Sequence, residues 1–425
     1  MDDIIKRDIT GLSREDVIGM LTERNRNYSL PQPFYNDPKL FQIDMEEIFL
    51  KEWLFVGLSC EIPERGDFFT VEIGRNPIVV VRDRQDQVRA FHNVCRHRGS
   101  KVCLAHRGKT AKLVCPYHQW TYELDGRLIY AGTEMGKDFD MSKFALKEVP
   151  LKSAGGYIFI SLSDQPPEID GFLRDLETYL EPHDLANAKV AVESNMIEKA
   201  NWKLVMENNR ECYHCAGSHP ELLNSLVEWD DSTDPRAPEE FKQHTARMNA
   251  EWEKDNIPYR HVSHGYRNRM DRIPIKEGAV SMTMDGKQGC KKLMGRISSP
   301  DLGSLHLLHL PNSWNHAMGD HLIAFRVLPL GPEETLVTTK WLVHKDAVEG
   351  VDYHPEALRK VWDATNDQDR KLAEDNQLGI NSIAYQPGPY SETYEFGVIN
   401  FLNWYSKTML GNLADSGKPT LQSVG

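Results

Sequence analysis

The spacing of apolar positions changes along this chain. Residues 10–27 carry a sparse helical pattern among polar side chains and predict a helix, followed by an extended Pro31-Gln32-Pro33 segment. From about residue 48 the pattern shortens to strands. Residues 77–81 and 88–92 alternate on either side of a polar turn, and residues 120–131 (WTYELDGRLIYA) predict a hairpin. Asp125-Gly126 at its centre suits a two-residue turn with φ > 0 at both positions. Gly155-Gly156 opens another strand through Ser161, and Pro166-Pro167-Glu168 reads as a linker. Beyond it the pattern predicts a helix over 201–216, a polar insertion over 229–275, and strands near 304–309, 321–329 and 335–344. A long helix over 356–378 follows, with Gly379 as its C-cap. The fold class is α+β: a small all-β domain inside a mixed chain.

The 425 residues, 40% apolar and 27% charged, suffice for the cores of two or three domains. A net charge of -13 and a pI near 5.7 argue against nucleic acid and anionic membrane as partners. The first eight residues lack the apolar run of a secretory signal, and no stretch approaches the roughly 18 apolar residues of a membrane span, so the expected location is cytoplasmic. The seven cysteines (Cys60, Cys95, Cys103, Cys115, Cys212, Cys215, Cys290) are odd in number and scattered. They read as reduced thiols, some of them ligands. Sixteen histidines direct attention to metals.

Cys95-Arg96-His97 and Cys115-Pro116-Tyr117-His118 form C-x-H-x17-C-x2-H, with each half in a loop between strands. Two thiolates and two imidazoles suit tetrahedral zinc, or a [2Fe–2S] cluster with both Cys on one iron and both His on the other. A zinc finger keeps its cysteines together and its histidines together on a helix. Here each loop supplies one of each, which favours the cluster.

Glu211, His214 and His219 form E-x2-H-x4-H. On a helix Glu211 and His214 share a face, whereas His214 and His219 lie about 140° apart, so one metal requires a break, expected at Gly217-Ser218. A third ligand comes from the long helix, whose apolar stripe is Leu358, Val361, Trp362, Thr365 and Leu372. Asp369 falls about 20° from Leu358, while Asp363, Asp367 and Glu374 fall about 140–180° away. A carboxylate on the buried face is costly unless paired or metal-bound, which selects Asp369 for a 2-His-1-carboxylate iron site with open positions for O₂. The alternative is a satisfied core aspartate. The C-x2-C of Cys212 and Cys215 reads as packing rather than a redox dithiol, and His92, His106, His183 and the histidines between 244 and 354 as structural or solvent-facing.

These two motifs together resemble the Rieske-type ring-hydroxylating oxygenase large subunits. FHNVCRHRGS (91–100), NWKLVMENNRECYHC (201–215) and WDATNDQDRKLAEDNQLGINS (362–382) resemble most narrowly its glycine betaine monooxygenase branch. The likeness runs from about residue 25 to 412. It implies an N-terminal helical segment (1–45) packing on the catalytic domain, a Rieske domain (46–163), and a helix-grip-like catalytic domain (164–425) with an antiparallel sheet surrounded by helices. The family's cluster ligands fall on Cys95, His97, Cys115 and His118, and its mononuclear iron ligands on His214, His219 and Asp369. Aromatic-ring dioxygenases place Asp where this chain has Glu211, as an electron-transfer bridge between subunits. Glu211 keeps the charge in that role but argues against simple aromatic dihydroxylation. A ring-shaped homotrimer is implied as well.

The chain has no G-x-G-x-x-G after a strand, so electrons must come from a separate reductase, by resemblance a flavin and [2Fe–2S] protein using NADH. The implied activity is O₂-dependent N-demethylation of glycine betaine to dimethylglycine and formaldehyde. Proline betaine or carnitine is the sister substrate, and a non-catalytic Rieske electron carrier or zinc module the reading of another class. A quaternary ammonium suits an aromatic cage, for which Trp314, Tyr213 and Trp341 are available.

Overall fold

The computed structural model describes residues 11–229 and 232–416; residues 1–10, 230–231 and 417–425, parts of the N-terminal segment, the insertion and the C-terminal end, lie outside them. The first helix is Arg14–Glu23, shorter than its polar pattern suggests. Ser13 starts it with a capping box, accepting from Asp16 N at 3.1 Å while its own N–H donates to Asp16 Oδ2. Val17 and Leu21 are buried in the core shared with the C-terminal helix Phe396–Ser416.

Three antiparallel sheets build the all-β part. Asp67–Ile73 lies between Asn76–Arg82 and Arg107–Lys109, with Val88–His92 outside Asn76–Arg82. Leu113–Val114, Thr121–Tyr122 and Leu128–Tyr130 form a second, and Tyr157–Ile160 lies between Leu54–Leu58 and Leu151–Ala154 in a third. The hairpin turn differs from the expected one. Only Gly126 has positive φ (87°), and Gly126 N donates to Glu123 O at 3.0 Å. The loop is thus one residue longer, with a glycine in the left-handed position. No side chain fits there, because a Cβ would stand 2.5 Å from Phe91 Cε1.

A seven-stranded antiparallel sheet carries the rest. Its order is Ala188–Glu198, Glu334–His344, Leu322–Gly331, Ser313–Ala317, Ser304–His309, Asn268–Ile273 and Val262–His264. The long helix Pro355–Ile380 packs on the face bearing His316, Phe325 and Thr339. Trp362 meets the His316 and Phe325 rings at 5.0 Å, and Asn366 Nδ2 donates to Thr339 Oγ1 at 3.1 Å. Leu358, Val361, Trp362 and Thr365 are buried as their spacing requires; Ala373 takes the covered place expected of Leu372. Gly379 is inside the helix rather than its cap. The turn closes at Asn381, whose N–H reaches Gln377 O, so no left-handed residue is needed.

Helices outside the predicted ones include Asp170–Leu180, which buries Phe172, Leu176 and Leu180, and two more. Glu239–Lys254, in the polar insertion, buries Phe241, His244, Met248 and Trp252 at helical spacing. Phe396–Ser416 buries Val398, Phe401, Leu402, Tyr405, Met409 and Leu413 at helical spacing and exposes Lys407, Gly411 and Ala414 on the other side. The short helix Trp202–Asn208 is fixed from below by a buried ion pair: Lys203 with Asp44, whose oxygens also accept from Trp202 Nε1 (3.1 Å) and Tyr405 Oη (2.6 Å). With its hydrogen bonds satisfied, that pair pins the element leading into the functional site.

Candidate active site

The two motif loops of the all-β part are conformational copies. Cys95 N donates to Ser100 O and Gly99 N to Cys95 O; Cys115 N donates to Trp120 O and Gln119 N to Cys115 O. Each loop passes through a left-handed residue at the same place, Gly99 (φ 79°) and Gln119 (φ 61°). Cys95 and Cys115 are buried, and the His97 and His118 rings stand 4.6 Å apart. Trp120 stacks on His97 at 4.9 Å and Tyr117 on His118 at 3.9 Å, which fixes both rings. Burial pushes the Cys95 thiol up despite its contact with Tyr122 Oη at 3.3 Å, and the Cys115 sulfur adds to the rise. His97 Nδ1 is buried without a partner. Paired sulfurs, paired imidazoles and an orphaned ring nitrogen are a donor set that fits a [2Fe–2S] cluster.

The second group lies where Trp202–Asn208 ends. Glu211 is not on a helix with His214, and the break comes at 209–214 rather than at Gly217-Ser218, which belong to the short helix Cys215–Ser218. Two asparagines, Asn208 and Asn209, close the first helix, and the Glu211 carboxylate replaces continued helix by accepting from Tyr213 N and His214 N. The reversal brings His214 Nε2 within 3.0 Å of His219 Nε2. Asp369 Oδ1 lies 2.9 Å from His219 Nε2 and 3.3 Å from His214 Nε2.

The other ring nitrogens face outward partners, His214 Nδ1 to Glu211 Oε1 at 2.6 Å and His219 Nδ1 to Gln368 Oε1 at 2.8 Å. With those nitrogens protonated, both Nε2 lone pairs and Asp369 Oδ1 converge, and Asp369 Oδ1 is buried with no hydrogen donor. Three donors pointed at one place require a cation there. Burial alone would lower His214, yet the nearby Asp369 and Glu211 carboxylates outweigh that and raise it to about 9, so the site favours positive charge at these nitrogens. Asp369 is lowered: burial opposes ionisation, but the two imidazoles prevail. The set fits a metal held by two imidazoles and a carboxylate. Cys215 Sγ is also within 4.8 Å of the two imidazoles, but it is bonded to Cys212, so the expectation of reduced, merely packing thiols fails for this pair and sulfur is no ligand.

A cavity of about 420 Å³ opens on these three side chains. Its apolar wall includes Leu222, Leu226, Leu308 and Phe401, with Trp229, Trp314 and Trp362 presenting indole rings. Part of the insertion lines it through His261, Ser263 and Tyr266. Of the three aromatic residues expected as a cage, only Trp314 lines the cavity. Trp341 is fully buried, and Tyr213 is 62% exposed, stacked on Tyr394. His306 and His316, set aside as structural from sequence, face this cavity instead. A larger cleft of about 690 Å³ between Glu177, Trp252 and Arg296 shares no residue with either group and is a surface groove.

Residues 52–143 match the Rieske [2Fe-2S] domain, and residues 177–411, more than half of the chain, match the ring hydroxylating alpha subunit (catalytic domain). The chain belongs to the Rieske ring-hydroxylating oxygenase family. It is 66% identical to the glycine betaine monooxygenase oxygenase subunit of Pseudomonas aeruginosa (strain UCBPP-PA14), over 97% of this chain and 96% of that one. The Chromohalobacter salexigens protein of the same name is 62% identical over 97% of this chain and 92% of its own length. The carnitine monooxygenase oxygenase subunit of Escherichia coli (strain K12) is 36% identical over 47% and 54%. A solved quaternary ammonium Rieske monooxygenase with L-carnitine shares the fold at TM-score 0.68, 20% identity, 94% and 99% coverage. So does a naphthalene 1,2-dioxygenase from Rhodococcus, at 0.66, 21%, 94% and 98%.

This Rieske oxygenase is therefore a non-haem iron enzyme with a [2Fe–2S] cluster and a mononuclear iron. Sequence reasoning missed Gln368, Trp229, Trp362, His306 and His316. Gln368 had a signal, since it adjoins Asp369 on the same helix. No helix among the described residues is long and apolar enough to cross a membrane.

Proposed function

We propose that this chain is the oxygenase component of a two-component monooxygenase that N-demethylates glycine betaine, using O₂ and electrons from a separate NADH-dependent flavin and [2Fe–2S] reductase. The observation that carries this reading is 66% identity along nearly the whole chain to a glycine betaine monooxygenase oxygenase subunit. In balance, the betaine, O₂, two electrons and two protons give an N-hydroxymethyl betaine and water. Loss of formaldehyde then leaves dimethylglycine.

Cys95, His97, Cys115 and His118 are assigned to the cluster, and His214, His219 and Asp369 to the iron. The cluster supplies single electrons, and the iron supplies oxygen activation at positions the three side chains leave open. Glu211 and Gln368 hold the Nδ1 protons of His214 and His219, keeping both Nε2 lone pairs turned inward. Glu211 is also assigned as the bridge to the cluster of a neighbouring subunit in a homotrimer. The indole faces of Trp229, Trp314 and Trp362 suit a trimethylammonium, which attracts ring quadrupoles and asks for no hydrogen bond. Leu222, Leu226 and Leu308 keep bulk water from the reacting methyl group.

The test is formaldehyde release by the iron-loaded chain with reductase, NADH and a panel of glycine betaine, proline betaine and carnitine. Glycine betaine should give the highest kcat/KM. A higher value for carnitine would replace the substrate and leave the reaction class intact.

A further inference from the structure

In the seven-stranded sheet, Asp271, His306, His316 and Ile323 lie opposite one another on successive strands, so their side chains form one row on one face. Asp271, His306 and His316 of that row, together with Arg269, Leu308 and Trp314 beside it, floor the cavity. The His306 and His316 rings meet edge to face at 4.7 Å, and His316 stacks on Trp362 at 5.0 Å. Neither imidazole makes a hydrogen bond to any described residue, and His306 Nε2 and His316 Nδ1 are buried with no partner. A buried polar nitrogen left without a partner is costly, so two such rings side by side call for a ligand.

The rest of the cavity says which ligand. Burial pushes His306 down to about 4, with the Asp271 carboxylate opposing and the Arg269 and Arg210 charges adding to it, and pushes His316 well below its ordinary value, with His306 and Arg210 acting the same way. Both rings are therefore neutral, each with one N–H to donate, and Arg210 on the same cavity wall adds a positive charge near both. Of the fixed negative groups, Glu211 and Asp369 sit at the iron position, and Asp271, opposite His306 in the row, is paired with Arg269 at 2.9 Å. An anion is thus repelled from one end of the cavity and offered donors at the other. His316 stacks on Trp362, and both line the same cavity as His214, His219 and Asp369.

We propose that His306 and His316 anchor the carboxylate of the substrate, making them the residues that select a betaine over a simple quaternary amine. This rests on the functional reading above, and deepens it by assigning the end of the substrate remote from the reaction. The pair also sets direction, because a carboxylate held there leaves only the N-methyl groups to face His214, His219 and Asp369.

The test measures calorimetric binding of glycine betaine and of tetramethylammonium, which lacks the carboxylate, to iron-loaded wild type, His306→Leu, His316→Leu and the corresponding Gln variants. Glycine betaine should bind about 10- to 100-fold more weakly to the Leu variants, the range for losing a hydrogen bond to a charged group, with tetramethylammonium unchanged. The Gln variants, which keep an uncharged N–H donor, should recover most of the loss. In turnover the Leu variants should show a KM for glycine betaine raised in proportion to the weaker binding. Equal weakening of both ligands, undiminished preference for glycine betaine in both Leu variants, or no preference in wild type would each overturn the anchor. If wild type binds glycine betaine and releases no formaldehyde from it, the functional reading fails while the anchor stands.

Discussion

Gln368 holds the least conspicuous position in the iron site, and its removal gives a quantitative test. Its Oε1 accepts the His219 Nδ1 proton at 2.8 Å, while its Nε2 donates to Glu221 Oε2 at 2.9 Å. The second bond fixes which end of the amide faces the imidazole. His219 is 1% exposed, so no water replaces the acceptor in Gln368→Leu. Leaving that buried N–H unmet costs about 1–3 kcal/mol, and the ring loses the contact that keeps Nε2 directed at Asp369. Taking about 2 kcal/mol at roughly 1.4 per decade gives iron binding about 30-fold weaker, within the range for lost outer hydrogen bonds to metal ligands. The assay is anaerobic Fe(II) titration of the mononuclear site against a competing chelator, with the visible absorption of the cluster showing that the other centre is intact. Gln368→Glu restores an acceptor and should restore iron binding. Iron affinity in Gln368→Leu within about twofold of wild type would refute the argument, since the outer hydrogen bond would then orient nothing.

Glu211→Gln should leave both centres loaded and reducible while turnover falls by about two orders of magnitude, followed as NADH-dependent formaldehyde release. Gly126→Ala places a Cβ 2.5 Å from Phe91 at a φ of 87°, and should destabilise the all-β part by about 1–3 kcal/mol, read from thermal loss of the cluster absorption. Glu207, which accepts from Tyr35 Oη (2.9 Å) and Tyr390 Oη (2.6 Å), is raised by burial from near 4.5 to about 7. The folded state then binds the extra proton between those values, so this residue makes stability fall as pH rises through the window, by about 3 kcal/mol. Urea unfolding of Glu207→Gln should lack that component relative to wild type, and equal pH slopes would exclude it. Asp44→Ala should cost about 3–5 kcal/mol because Lys203 is left charged and buried, again measured by urea unfolding.

Much of this was legible because the chemistry sits in short motifs. Two Cys-His loops between strands need only local spacing, and the stripe of the long helix places Asp369 on its inward side by 100° steps. Periodicity failed where it depended on helix continuing. His214 and His219 lie five apart, and the required break was foreseen but placed at Gly217-Ser218. Glycine seemed the obvious weak point, yet the helix stops at Asn208 because a carboxylate three residues on supplies an alternative set of hydrogen bonds. The cavity wall was out of reach for another reason. His306 and His316 are neighbours only through antiparallel register between two strands, and nothing within either strand marks them apart from the other histidines. The helix Phe396–Ser416 was hidden by the opposite fault, since apolar residues flanking its buried face, Trp404 and Leu410, blur the stripe that reveals a helix.

The placement of Glu211 gives the length of its side chain a use within the chain. Its Oε1 holds His214 Nδ1, while its Oε2 turns back to Tyr213 N and His214 N, so one carboxylate both closes the turn and orients the ligand. That length is spent on the return, within the chain, rather than on reaching outward. Oε1 can still accept a second donor, and the Glu211 side chain remains 13% exposed. A partner from outside thus meets a group already rigid and already joined to His214. The contact between subunits assigned to Glu211 then requires the incoming donor to approach the turn, because the glutamate is not free to extend toward it.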